Sequence, residues 1–314
     1  MTKCSSLISS PAREESTSSD RAASRLKRHR GPAIVISYGP NLYNATSAAR
    51  AARGNVLRYD PFNLSGGHPG DTWSPLAGVT NWDSALHVGW QLTLAGQYDQ
   101  RNVEGGDFWA VLVEQRLAPM LLAAARTQGG VETLVGWAYG QNASGLAKAV
   151  ATIATSAQTS SERSDAHALH SSLQEFVTQP ERTRTSVDAT IQALLRAFRF
   201  TRVAASAHGS AITPEALFSG SNTVYLVGDA KAAKLLRPLM TALLEQIVIG
   251  AIDSPRPLLI VTVDGENVTS TCPAVEALVG AGTIRTITVE GDVWPYPKKQ
   301  PRRRLQFRSP LTFG

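Results

Sequence analysis

The sequence predicts an α/β fold, a parallel sheet interrupted by an inserted all-α block. Three observations carry this reading. Residues 31–59 alternate strand, helix and strand; strand texture stops at Trp82 and does not resume before Arg202; it returns at Thr223. The 314 residues suffice for about two domains and a sizeable core. A composition of 43% hydrophobic and 18% charged residues is ordinary for a globular chain.

Each element has a local reason. Residues 1–30 hold eight serines in the first 24 positions and seven Lys/Arg against three acids, a composition that predicts disorder. Ala33–Ser37 is a continuous apolar run between Gly31-Pro32 and Gly39-Pro40, as a strand buried on both faces requires. Asn44–Arg53, Ala-rich and closed by Gly54, predicts a helix, and Asn55–Tyr59 a second strand, completing a βαβ unit. The helical block follows: a helix through Trp109, Leu112, Leu117 and Leu121, with Pro119 a predicted kink, then helices over Val131–Tyr139 and Gly145–Ala157. Gln158–Asp165 reads as a linker, Ala166–Thr178 as helix, and Pro180-Glu181 opens a helix carrying Val187, Ile191, Leu194, Leu195 and Phe198. Beyond it come a strand at Val224–Val227, a helix at Lys231–Ile252, a strand at Leu258–Val263, a helix at Ala274–Gly280 and a strand at Ile284–Val289. The expected domains are thus a 1–30 segment, an α/β domain of 31–80 with 206–290, an all-α insert of 81–205, and a basic 291–314 tail. An insert of this length without internal structure would be implausible, so helices are required.

Several functional classes are excluded or disfavoured. No apolar run reaches the ~20 residues of a membrane span; Leu117–Ala125 and Leu239–Ile252 come nearest. The first residues lack a secretory signal's apolar core, which predicts a cytoplasmic protein. Cys4 and Cys272 make neither a disulfide framework nor a zinc site. His167 and His170 share one helix face with no third ligand nearby, which reads as a solvated face. The net charge of +6 sits in the tails: residues 1–30 carry +4, residues 298–314 carry +6, and the stretch between them −4. Lys298–Arg308 reads either as a solvated end or as a polyanion-binding arm.

The chemical signal lies at Leu258-Leu-Ile-Val-Thr-Val-Asp264-Gly-Glu266. A buried strand delivering acids at its carboxyl end is the Walker B arrangement, in which an Asp orients Mg²⁺ and a following Glu positions the attacking water. By itself it is weak, since apolar runs ending in an acid are common in α/β chains. The partner string Gly-x-x-x-x-Gly-Lys-Ser/Thr, whose amides and lysine cradle phosphates, does not occur.

An ordered series of segments resembles the cytoplasmic ATPase of actinobacterial type IV secretion coupling proteins, the TraG/TraD family. The series comprises Gly31–Ser37, Ala45–Gly54 with Leu57-Arg-Tyr-Asp-Pro61, Thr72–Gly78 with Trp82-Asp83, and Gly106–Trp109 with Leu117–Ala125. Pro180–Val187, Asn222–Val227 and Leu239–Gln246 complete it, so that the resemblance covers roughly residues 31–282. The resemblance implies a RecA-like P-loop NTPase-type sheet with an inserted all-α domain. It also implies ATP and Mg²⁺ as cofactors, relaxase-bound DNA and secretion-channel proteins as partners, a homo-hexamer, and a place at the inner face of the plasma membrane.

The chain departs from that pattern. The family's N-terminal membrane anchor has no counterpart. Ser10-Pro-Ala-Arg-Glu-Glu-Ser-Thr17 stands where a Gly-Pro-Pro-Arg-Ser-Gly-Lys-Thr-like loop is expected; Pro11, Arg13 and Thr17 match, but Ser10, Glu15 and Ser16 replace both glycines and the lysine. Arg13 and Thr17 are therefore the candidate cofactor-binding residues. Gly39-Pro-Asn-Leu42 replaces a Lys-Pro-Asp-Leu-like string. With an insertion, Asp264 aligns as the metal-orienting acid and Glu266 as the catalytic acid; without one, Val263 takes the metal position and Asp264 stands in for the Glu. After Gly282, further motor strands would be expected, where this chain has a Pro/Arg-rich tail. Three readings follow: a coupling-family NTPase, a non-catalytic docking subunit using the all-α domain, or an inactive remnant. The degenerate loop favours the last two, because Glu14 and Glu15 repel a triphosphate where a lysine would attract it.

Overall fold

The computed structural model describes residues 18–96, 106–263, 266–270 and 272–289. Helix α1 (Ser18–Arg28) leads into strand β1 (Ala33–Ser37), helix α2 (Asn41–Ala51) and strand β2 (Val56–Tyr59). A helical stretch follows, with α3 (Trp82–Gly96), α4 (Gly106–Arg126), α5 (Gly130–Ala138), α6 (Ala143–Ser156), α7 (Ser160–Thr178), α8 (Glu181–Leu194), α9 (Thr201–Ala205) and α10 (Pro214–Phe218). Strand β3 (Thr223–Val227), helix α11 (Ala233–Val248), strand β4 (Leu258–Val263), helices α12 (Glu266–Thr269) and α13 (Pro273–Gly280), and strand β5 (Ile284–Val289) complete the order.

The five strands form one parallel sheet in the order β2-β3-β1-β4-β5. Its central strands are apolar on both sides because both faces are covered. Ala33 and Val35 of β1, Tyr225 and Val227 of β3 and Leu259 and Val261 of β4 pack with Ala22 and Leu26 of α1 and Leu42 of α2. Ile34, Ile36, Val224, Leu226 and Ile260 point the other way into a larger core. There α11 packs on α3, and α3 packs on α4, which touches α5, α6, α7 and α8. Trp73 Nε1 donates to Gln246 Oε1 of α11 at 3.0 Å and Arg237 Nε to Ala95 O of α3 at 3.1 Å, tying α11 to the segment after β2 and to α3.

Four sequence expectations are corrected. Disorder was expected throughout residues 1–30, yet 18–28 form α1, because Ala22 and Leu26, four residues apart, bury completely against the sheet; residues 1–17 lie outside the described residues. The expected linker 158–165 is largely the start of α7, where Thr159 accepts from Glu162 N and the Glu162 carboxylate accepts from Thr159 N, a reciprocal cap. Helix Asn44–Arg53 runs instead from Asn41 to Ala51, starting directly after Pro40. The Lys231–Ile252 helix divides into a tight turn at Ala230–Ala232, α11, and a second tight turn at Ile249–Ala251. The 291–314 tail lies outside the described residues.

Candidate functional site

The carboxyl ends of β1 and β4 are level, Ser37 standing opposite Val263. From there the chain diverges. After β1 it crosses through α2 to β2 on one side, while after β4 it continues through α12 and α13 to β5 on the other. A doubly wound sheet leaves a crevice at such a point, outside the strand ends, and that is where these folds bind ligands.

A cavity of about 200 Å³ occupies this crevice. Ser37, Tyr38 and Gly39 line it from β1 and its exit, Asn41, Leu42 and Ala45 from α2, Ser19, Asp20 and Ala23 from α1, and Val263 from β4. Local sequence explains the shape. Gly39 has φ +155° with nothing within 4 Å of where a Cβ would stand, so the turn out of β1 is both permissive and open. The Ser37 hydroxyl closes that turn by donating to Gly39 O at 2.8 Å. Pro40 then caps α2 without any side-chain hydrogen bond. Pro40 therefore supplies no side-chain acceptor to the first-turn N–H groups of α2, and the helix dipole favours an anion beside Asn41 and Leu42. The cavity opens to solvent, and its volume is below the ~300 Å³ of a typical small-molecule site.

The sequence-predicted residues meet this site unevenly. Val263, which the ungapped alignment puts in the metal position, lines the cavity. Glu266 opens α12 in its backbone course. Asp264, Arg13 and Thr17 lie outside the described residues. Ser37, Tyr38, Ser19 and Asp20 were not singled out from sequence, and Asn41 entered only within Gly39-Pro-Asn-Leu42, the string that departs from the family's pattern. Among the described residues no group of three or more His, Cys, Asp or Glu is arranged to hold a metal ion. His167 and His170 are exposed on α7. Among the described residues no helix is long and apolar enough to cross a membrane.

The chain has a RecA-like, P-loop NTPase-type α/β fold, with a parallel sheet covered on both faces, a crevice at its switch point and a long helical insertion. The chain belongs to the Type IV secretory system Conjugative DNA transfer family, whose model matches residues 27–254. Among solved structures it is similar to the plasmid coupling protein TrwB in complex with the non-hydrolysable GTP analogue GDPNP, at 14% identity and a TM-score of 0.51, covering 86% of this chain and 64% of that one. It also resembles the bacterial conjugative coupling protein TrwBdeltaN70 with sulphate, at 16% identity and a TM-score of 0.49, covering 87% and 64%. The chain thus spans about 64% of the length of these structures. A comparison with curated proteins returned no match.

Proposed function

We propose that this chain is the motor-type module of a conjugative coupling protein, with the β1–β4 crevice as its phosphate site. The observation that carries this is the cavity between the uncapped start of α2, the first turn of α1 and the end of β4. Helix amides and the Asn41 side-chain amide fit a phosphate. In this reading Arg13 and Thr17, on the segment before α1, contact the nucleotide. Asp264, next in sequence after Val263, orients Mg²⁺, and Glu266 is the candidate catalytic acid. When bound, Mg·ATP would supply a labile phosphoanhydride and a divalent counter-charge, with Asp264 as the residue that would hold the metal.

The loop chemistry weakens the site. Ser16 replaces the phosphate-facing lysine, Ser10 and Glu15 replace the glycines, and Glu14 and Glu15 add negative charge. The chain therefore acts within the DNA-transfer apparatus chiefly as a docking and assembly subunit, with relaxase–DNA, channel proteins and other copies in a hexameric ring as its partners. Its place is the cytoplasm, at the inner face of the plasma membrane. Calorimetric titration of the full chain with Mg·ATP tests this: affinity weaker than about 1 mM, some 4 kcal/mol of binding, is expected. A submillimolar Kd would overturn the weakened-site reading.

A further inference from the structure

We propose that the surface formed by Arg196, Arg199, Phe200 and Arg202 binds single-stranded nucleic acid, the arginines on phosphates and Phe200 stacked on a base. This extends the DNA-transfer reading to a second surface, away from the β1–β4 crevice, at the junction of α8 and α9. The sequence is distinctive in charge. Between Asp188 and Glu215 there is no acidic residue, although residues 31–297 as a whole carry a net −4. The three arginines recur every third residue. Arg196–Arg199 is a single 3₁₀ turn, in which residues i and i+3 eclipse, so Arg196 and Arg199 project on one side. All three arginines are exposed.

Phe200 belongs to the same surface and is 47% exposed, unusual for a side chain of its size. Its ring is held edge-on by Phe62, with centroids 6.1 Å apart at 80°. Arg202 donates to Phe62 O at 3.4 Å, and the Arg199 guanidinium lies 4.8 Å from the Tyr139 ring centroid. These contacts hold Phe200, Arg199 and Arg202 in place before any ligand arrives, which lowers the ordering cost of binding. A polymer that alternates phosphate with an unpaired π face suits exposed arginines flanking an exposed ring in sequence, because stacking on an aromatic platform needs a base whose face is free. A duplex supplies the phosphates without the free faces.

The test titrates a short fluorescent oligothymidylate into the full chain over a range of salt. The basic tail adds a constant background, so differences between variants carry the result. The double variant Arg196→Gln/Arg202→Gln should make the slope of log K against log salt shallower by about 1.4, since each phosphate contact on a single strand contributes about 0.7. Phe200→Ala should weaken binding about tenfold with the slope unchanged. Phe200→Leu, which keeps an apolar contact to Phe62, should weaken it similarly and guards against misfolding of the alanine variant. Mg·ATP titration should be unaffected in all three, so failure here leaves the crevice reading standing. Wild-type slope and affinity in every variant would overturn the proposal. So would an equal loss by Phe200→Ala on a duplex, or displacement of the oligonucleotide by polyglutamate at equal charge, which would assign the surface to an acidic protein.

Discussion

The two ends of the sheet are built in opposite ways. At the amino end, Arg50 of α2 is completely buried, its guanidinium donating to Thr223 Oγ1 at 2.7 Å, His29 O at 2.5 Å, and Gly31 O and Ser221 O at 2.9 Å each. Asn222 adds to this, accepting from Asn55 N at 2.7 Å and donating to Ala216 O at 2.7 Å. One cation and one amide thus knit the end of α1 and the entries to β1, β2 and β3. At the carboxyl end the turn out of β1 is open, the start of α2 has no side-chain cap, and a cavity lies among the first residues of α1 and α2 and the last residue of β4. Arg50 and Asn222 donate to backbone carbonyls where the sheet is held, and the start of α2 carries no side-chain cap where it opens. The lesson is that rigidity at one edge lets the other stay unfilled without loosening the strands.

The largest break in this comparison should come from Arg50→Met, which leaves one hydroxyl and three carbonyl acceptors facing an apolar side chain. A loss of about 3–5 kcal/mol is expected in urea unfolding, by the cost of unsatisfied buried groups and lost charged hydrogen bonds. A loss under 1 kcal/mol would show that the clamp is incidental. Glycines at the two ends should then differ. A Cβ on Gly54 would stand 2.6 Å from Asn222 Oδ1 and 2.8 Å from the Ser221 backbone, so Gly54→Ala should cost about 1–3 kcal/mol. Gly39→Ala meets open space and pays only for its φ of +155°, about 1 kcal/mol. Equal costs at both positions would erase the contrast.

The smallest effect is a pH dependence behind β4. Cys272 is buried and donates to Glu245 Oε2 of α11 at 2.6 Å. Burial first, and then the Glu245 charge, push the thiol well above its ordinary value of 9.0. The folded state holds that proton more tightly than the unfolded chain. The stability this contributes is fully present below pH 9.0 and is lost as pH rises beyond it, by at most about 1.4 kcal/mol per unit. Unfolding free energies at pH 8 and pH 10 should therefore fall more steeply in the wild type than in Cys272→Ala; parallel profiles would contradict the assignment.

How much of this was legible depended on how local the cause was. Strands β1, β3 and β4 announce themselves as continuous apolar runs because burial on both faces leaves no alternative. Helix α1 was hidden, since its serines and charges dilute the Ala22–Leu26 pair, which matters only once a sheet face is present to receive it. The start of α7 was readable in principle from the Thr159-x-x-Glu162 cap but was masked by the surrounding polar residues. Arg50 was not legible at all: its four acceptors come from the end of α1, the entry to β1 and the entry to β3, brought together only by the fold. The crevice was half legible. Gly39-Pro-Asn-Leu42 marked its position and Val263 its far wall, while the convergence of α1 on the same cavity follows from the packing of α1 on α2.

If the β1–β4 crevice is a phosphate site weakened at the segment before α1, restoring that segment's glycines and lysine should strengthen it. The triple variant Ser10→Gly/Glu15→Gly/Ser16→Lys puts back both glycines and the lysine while leaving Arg13 and Thr17 in place. Titrated with Mg·ATP beside the wild type, it should bind at least tenfold more tightly, about 1.4 kcal/mol, and reach submillimolar affinity. Unchanged, undetectable binding in the restored protein would contradict the claim and remove the crevice as a nucleotide site.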